Sequence, residues 1–473
     1  MRTVASPAAR FALAASLSIW TAIGLAPPAR MEPAPAAAPP ADFSAQRALQ
    51  HVAAIAQRPH PVGSADHARV RDYVLGEFAR LGLTTQVESG FAEYAAKNYH
   101  ASGSIENILA FLPGRSSTRP VLLAAHYDSV PRGPGASDDG HGVAVLLETL
   151  RALKSSRPLR NDVIFLVTDG EELGLLGAMV FMRDHPRHTE PGVALNFEAR
   201  GTGGVPSMFE TSDHNLWLIR ALQRAVPEAA ASSFAYEVYK RMPNDTDMTI
   251  FKAGGLAGLN FAFIGHPEFY HTAHDDVAHL DRASLQEQGR YCLSLARQFG
   301  DADLTQRPRG DAVYFPVRFL PLVVYPASWV VRGAWALVVT LVLASAVAWG
   351  RRVRGAWISL PLALIAALLL LIARPAPGAS YLLGWPLAAG ILSFIALACA
   401  GKRLSGFALL ALAAAPAPAS LLVLPLLPQV VVALGWRGAA PMLAGSLLLM
   451  LSCLLPQLVL VFRRAQPVKQ VAP

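Results

Sequence analysis

Between His126 and His271 the chain carries five candidate metal ligands and one candidate base. They lie in the fragments His126-Tyr127-Asp128, Ala136-Ser137-Asp138-Asp139-Gly140, Asp169-Gly170-Glu171-Glu172-Leu173-Gly174, Asn196-Phe197-Glu198 and Tyr270-His271-Thr272. Two histidines among carboxylates suit a borderline cation such as zinc, which takes imidazole nitrogen and carboxylate oxygen. There is one carboxylate more than a single closed site needs, which is what a two-metal hydrolase would use. His126 and Asp128 are two apart at the end of an apolar run, so an extended backbone turns both to one side. There His126 would be a ligand and Asp128 the partner that fixes its tautomer. Asp138, in a Gly-rich turn, is a candidate bridge between two cations. Adjacent carboxylates can divide the work, Glu172 binding metal while Glu171 takes a proton from the attacking water. Each fragment alone has a bland reading: a loop histidine, acids favoured at a helix start, a satisfied core histidine at 271.

The elements that must hold these residues are short apolar runs bounded by Gly, Pro or Asp: Val121–Tyr127, Val163–Thr168, Val193–Phe197 and Gly258–Ile264. Such runs read as buried parallel strands. Val145, Leu146, Leu150 and Leu153 give Gly142–Lys154 one apolar helical face, and a second helix is expected over Leu173–His185. Strands alternating with helices predict an α/β domain with a mixed, mainly parallel sheet covered on both faces. The candidate ligands fall at the carboxyl ends of those strands, where open α/β sheets place their sites.

Charge divides the chain. Residues 312–473 hold 12 Arg and Lys and no Asp or Glu, and the whole chain is +8, so the first 311 residues are acidic, at about −4. The basic balance is therefore a membrane-topology signal and not a nucleic-acid footprint. Apolar runs at 333–349, 356–373, 381–400, 404–436 and 439–462 predict an all-α membrane domain of about five helices over 333–473. Arg351, Arg352 and Arg354, then Lys402 and Arg403, then Arg463, Arg464 and Lys469 follow alternate runs. The positive-inside rule then puts the C-terminus in the cytosol and the polar domain outside, periplasmic in a Gram-negative inner membrane. No acid lies in the bundle, which counts against a proton-coupled transporter. Residues 1–28, with Arg2 and Arg10 ahead of the apolar Phe11–Leu25, read as a signal anchor or signal peptide. An Ala/Pro linker (29–41), the polar domain (42–310) and a connector (311–332) follow. Cys292, Cys399 and Cys453 are the only cysteines, so the polar domain has no internal disulfide and no Cys-based zinc motif.

Taken together, and in order and spacing, the fragments resemble the di-zinc aminopeptidase family of metallopeptidases (family 28) over roughly residues 50–300. The membrane-bound branch, similar to the endoplasmic-reticulum and vacuolar membrane metallopeptidases, looks closest because it too sets a peptidase domain before a multi-span tail. Arg58-Pro-His-Pro-Val-Gly-Ser64 and Asn107-Ile108 also resemble family landmarks. The resemblance implies one Zn2+ held by His126, Asp138 and Glu198 and a second held by Asp138, Glu172 and His271. It further implies Glu171 as general base, Asp128 and Asp275 as supporting aspartates, and a cis bond between Asp138 and Asp139. Glu198 departs from the soluble aminopeptidases, which usually have Asp there, and agrees with the membrane-bound relatives. Asp245 and Asp247 fall on a loop near the substrate cleft and receive no role. The implied activity is exopeptidase cleavage of a peptide substrate by a protein seated in a lipid bilayer. The alternatives are a single-zinc glutaminyl cyclase-like enzyme and a catalytically inactive peptidase-like ectodomain.

Overall fold

A computed structural model of the chain describes residues 5–96, 99–353, 355–400 and 404–462. Arg2, Arg354, Lys402, Arg403, Arg463, Arg464 and Lys469, on which the sidedness expectation leans, lie outside the described residues. The chain forms two compact units, one of residues 28–316 and 320–324, the other of residues 1–27, 317–319 and 325–473.

The second of these units begins with α1 (Pro7–Leu25), whose Ser6 cap accepts from Ala9 N and whose Pro7 suits the first helical position. The elements of the first unit follow. Helices α2 (Ala45–Ile55) and α3 (Ala65–Arg80) start at Ser44 and Ser64, whose hydroxyls accept the Arg47 and His67 amides. A long hairpin, β1 (Thr84–Ala96) and β2 (Tyr99–Leu112), precedes β3 (Val121–His126), α4 (His141–Lys154) and β4 (Val163–Thr168). Then come α5 (Leu176–Asp184), β5 (Val193–Ala199), β6 (Ser207–Thr211), α6 (Leu216–Ala225), β7 (Ala230–Ala231) and α7 (Ser233–Tyr239). Helix α8 (Asp247–Ala253), β8 (Gly258–Phe263) and α9 (Arg282–Gly300) complete the set.

The eight strands form one sheet in the order β1-β2-β4-β3-β5-β8-β6-β7. Its centre, β4-β3-β5-β8, is parallel, and β2 and β6 join that centre antiparallel, so the sheet is mixed, as expected. All four central strands are buried along their whole length. Their side chains alternate between two cores. Val121, Leu123 and Ala125 of β3 face the core shared with α2, α4 and α9, while Leu122 and Ala124 face the one shared with α5 and α8. Each buried Val or Leu contributes about 1.5–3 kcal/mol relative to exposure, which is why uninterrupted apolar runs became the central strands.

Two local features differ from expectation. Helix α5 starts at Leu176, not Leu173, because Leu175 is left-handed (φ 64) and breaks the helical run. Glu171 and Glu172 therefore sit in a turn before the helix and not in its first turn. The Ala/Pro segment, expected to run extended, turns at Ala38 and Asp42, whose amides donate to Pro35 O and Pro39 O. It is also tied to α9: Met31 N donates to Glu287 and Ala34 N to Gln286, and Arg30 pairs with Glu287 and Asp281.

In the other unit, α1 is joined by α10 (Ser328–Gly350), α11 (Ser359–Ala373), α12 (Tyr381–Cys399), α13 (Gly406–Ala414), α14 (Pro416–Leu422) and α15 (Leu426–Phe462). By length and composition six stretches among the described residues can cross a membrane: Pro7–Leu25, Ser328–Gly350, Ala356–Ala373, Tyr381–Cys399, Gly406–Gly435 and Arg437–Phe462. Prolines and Gly435 (φ 67) break the fifth stretch into shorter helices. The buried Gln457 amide donates to Leu13 O at 2.7 Å and Ser16 Oγ at 3.1 Å, and Trp20 Nε1 donates to Ala413 O, so α1 packs within this bundle.

Candidate metal centre

Strand β3 ends on His126, β5 carries Glu198 one residue before its end, and the turn after β4 carries Glu171 and Glu172. Parallel neighbours in register bring those ends to one edge, His126 lying opposite Thr168. Between β3 and α4 the chain doubles back through Ala136–Gly140, opened by Gly135 in the left-handed region (φ 65), where a Cβ would lie 2.6 Å from Asp138 O. The Asp138–Asp139 peptide bond is cis. His271 reaches the same edge from the segment after β8 and is itself left-handed (φ 57), a conformation uncommon for a non-glycine residue.

Asp138 is the hub. Its Oδ1 lies 3.2 Å from His126 Nε2 and its Oδ2 lies 3.0 Å from His271 Nε2. Each imidazole also has a carboxylate of its own: Glu198 Oε2 is 3.6 Å from His126 Nε2, and Glu172 Oε2 is 3.1 Å from His271 Nε2. The ligand-type atoms of His126, Asp138 and Glu198 lie within 4.8 Å of one another, as do those of Asp138, Glu172 and His271. The structure thus brings all five sequence-derived ligand candidates into two triads that share Asp138.

The two aspartates that the resemblance implies as supporting both lie against the cluster. Asp128, 1% exposed, accepts the amides of Glu171 at 3.0 Å and Glu172 at 3.2 Å and lies 3.4 Å from His126 Nδ1. Asp275 accepts Ser137 N at 2.7 Å and Asp138 N at 3.1 Å, holding the hub from behind. The landmark residues work further back. Asn107 takes the Asp169 amide and donates to Gly177 O, and His60 N donates to Ser129 Oγ. Three further neighbours had received no role from the sequence. Asp139 accepts the amides of His126 and Gly142. Buried Asp247 accepts Thr168 Oγ1, whereas Asp245 only meets Thr249. Tyr270 stacks on His271 at 3.7 Å, and burial together with the charges of Asp138, Glu172, Glu171 and Glu198 pushes its phenol pKa up. Asp139 and Tyr270 stood inside the fragments already quoted, and Asp247 on the loop left without a role.

Electrostatics tests whether this donor set fits a cation. Burial opposes charge on His126, but Asp128, Asp138 and Glu198 outweigh it and hold the imidazole pKa well above its usual value. For His271 the same balance, struck with Asp138 and Glu172, gives about 10. Burial and the Asp138 charge push Glu172 up to about 8; burial, with Asp139 and Asp138 adding to it, pushes Glu198 up to about 7. Glu171 is driven well above the carboxylate range by burial, with Glu198, Glu172 and Asp247 adding to it. Two imidazoles cannot balance this many buried carboxylates, and Glu172 Oε1 is buried with no hydrogen-bond partner. Divalent cations would supply the missing charge and coordinate that oxygen, so the residues fit zinc.

Comparisons with known proteins agree. Residues 107–296 match the sequence profile of peptidase family M28. The chain is 33% identical over 233 residues to endoplasmic reticulum metallopeptidase 1 of Mus musculus, covering 47% of this chain and 26% of that protein. It is likewise 33% identical over 267 residues to the vacuolar membrane protease of Candida albicans (strain SC5314), covering 55% and 30%. The chain thus matches only about a quarter to a third of the length of these curated relatives. Among solved structures it is similar to an aminopeptidase from Aneurinibacillus sp. strain AM-1 (13% identity, TM-score 0.45, 54% of this chain and 94% of that one). It is similar too to the glutaminyl cyclase of Porphyromonas gingivalis (22%, TM-score 0.44, 54% and 99%). The resemblance read from the fragments is thus matched over residues 107–296 by the M28 profile, and the relatives carry the names of an endoplasmic reticulum metallopeptidase and a vacuolar membrane protease.

Proposed function

We propose that the chain is a membrane-anchored, zinc-dependent exopeptidase of aminopeptidase type, with two zinc ions sharing Asp138 and the peptidase domain on the extracytoplasmic face. The observation that carries this reading is the division of Asp138: each carboxylate oxygen faces a different imidazole, and each imidazole has its own second carboxylate. His126, Asp138 and Glu198 would hold one ion, and Asp138, Glu172 and His271 the other. Zinc at such a site supplies Lewis acidity and makes water a nucleophile near neutral pH.

The remaining chemistry belongs to the chain. Among the described residues the Glu171 side chain takes part in none of the cluster's hydrogen bonds or ion pairs, although its own amide is fixed by Asp128. Burial and neighbouring carboxylates make it a strong proton acceptor. It would accept a proton from the attacking water and deliver it to the leaving amine, general base and then general acid. Asp128 would keep His126 Nδ1 and the Glu171–Glu172 amides in place, and Asp275 would do the same for the Asp138 loop. The alternation of Arg and Lys along the tail supports a cytosolic C-terminus.

The test uses the full chain in detergent, zinc-loaded, with peptides whose amino termini are free or acetylated. Release of amino-terminal residues from the free peptides alone is expected, with two zinc ions retained after gel filtration in metal-free buffer. Cleavage of acetylated peptides would overturn the aminopeptidase assignment. Ammonia release with cyclised amino-terminal glutamine, from a protein retaining one zinc, would establish the cyclase alternative instead.

A further inference from the structure

The segment just after His271 carries a second convergence of ligand-type side chains that the peptidase reading does not use. His274, Asp276 and His279 bring their donor atoms within 4.8 Å of one another. His279 Nδ1 lies 2.8 Å from Asp276 Oδ1, as close as the His–carboxylate approaches around Asp138. We propose that His274, Asp276 and His279 form a separate binding site for a borderline divalent cation such as Zn2+.

Three observations support it. First, the donors are held in position. Asp276 Oδ1 accepts the Ala278 and His279 amides at 2.9 and 3.0 Å, which fixes the carboxylate, and its Oδ2 takes no hydrogen bond among the described residues. Second, both imidazoles are backed by one ring. The His274 and His279 centroids lie 5.5 and 4.8 Å from that of Phe269 and 5.2 Å from each other, so the nitrogens converge without folding energy being spent on the approach. Third, the chemistry is selective. Two imidazoles and one carboxylate favour Zn2+, Ni2+ or Cu2+ over Mg2+ and Ca2+, which take oxygen ligands. Both histidines are exposed, so solvent completes the coordination and the ion can exchange, unlike one held by the buried His126, Asp138 and Glu198. The site lies on the loop that supplies His271 and Asp275, the latter holding the Ser137 and Asp138 amides. A cation there would clamp the loop from its outer side.

Equilibrium dialysis of the full-length, zinc-saturated chain against buffered zinc tests the site, with His279→Ala and His274→Phe compared with wild type. The phenylalanine keeps a ring against Phe269 while removing the nitrogens. Each variant is expected to bind one zinc ion fewer than wild type, with an unchanged melting temperature in the zinc-free state. The readout is a difference between proteins, so it is independent of whether the Asp138 centre holds one ion or two, and of whether it hydrolyses peptides. Cu2+ added to the zinc-saturated protein should show hyperfine coupling to two imidazole nitrogens, lost in part in each variant. Equal zinc binding by wild type and both variants would overturn the proposal.

Discussion

Asp128→Asn changes one atom in a side chain of nearly unchanged shape, and the structure says what that atom does. The carboxylate is 1% exposed, and its two oxygens separately accept the amides of Glu171 (3.0 Å) and Glu172 (3.2 Å), with His126 Nδ1 3.4 Å away. Asparagine has one acceptor oxygen and one NH2 donor, so it can satisfy one of those amides and must turn a donor toward the other. The loss is one charge-assisted hydrogen bond with a buried N–H left unpaired, about 1.5–3 kcal/mol. If that loss falls on the positions of Glu172 and His126, zinc affinity drops about ten- to hundredfold, the range found when a group orienting metal ligands is removed. Competition with a chromophoric chelator measures the affinity, and melting with and without zinc separates it from folding. The expected result is weaker zinc binding, a lower kcat and a smaller zinc-induced rise in melting temperature. Wild-type zinc affinity together with wild-type kcat would refute the reasoning, because Asp128 would then hold neither the turn nor the histidine.

Glu171→Gln should retain its zinc and melting temperature while kcat falls by about two orders of magnitude or more; Glu172→Ala, by removing a ligand, should lose zinc as well, read by metal analysis of both proteins. Gly174→Ala should destabilise the peptidase domain by about 1–3 kcal/mol in denaturant unfolding. Gly174 has φ 116, and a Cβ there would lie 2.5 Å from the Tyr94 ring. Burial raises the pKa of Glu88, so its stabilising contribution is present below the unfolded-state value and is lost as pH rises through the folded one. Glu88→Gln should therefore gain stability over wild type as pH rises above the ordinary carboxylate range, with no difference below it. A reporter enzyme active only outside the cytoplasm should work when fused after residue 310 and be silent after Pro473; activity at both would mean that the 404–436 run crosses twice and that the count of five spans is wrong.

The central strands were legible because full burial leaves one kind of sequence, a short apolar run stopped by a polar residue or glycine, and on β3 and β5 the ligand candidates His126 and Glu198 stand at that stop. The β1–β2 hairpin was not legible. Its first strand is mostly exposed, with Phe91 out in solvent, so no apolar periodicity marks Thr84–Ala96. Strands β6 and β7, five and two residues long, carry too little pattern to register. Helix α5 was placed three residues early because Leu173, Leu175 and Leu176 continue an apolar pattern, while the backbone at Gly174 and Leu175 is left-handed. Composition alone could not show that the Ala/Pro segment is fastened to α9, since its bonds come from one arginine, Arg30, and from the backbone amides of Met31 and Ala34, which any sequence could offer.

The site was legible as a set of residues but not as a balance of charges. Sequence order says that His126, Asp138, Glu172, Glu198 and His271 come from five different segments, and spacing cannot bring them together. What does so is the sheet edge together with one fixed turn, Asp138 being reached from behind by Asp275 and from either side by the two imidazoles. That convergence concentrates carboxylates in a buried volume, and the fold answers it by pushing Glu171, Glu172 and Glu198 toward holding protons. A divalent ion would reverse that preference at Glu172 and Glu198, whereas Glu171 lies outside both triads. On the proposed reading, two adjacent glutamates in one turn held by Asp128 would do different chemistry, Glu172, which meets His271, as ligand and Glu171 as base.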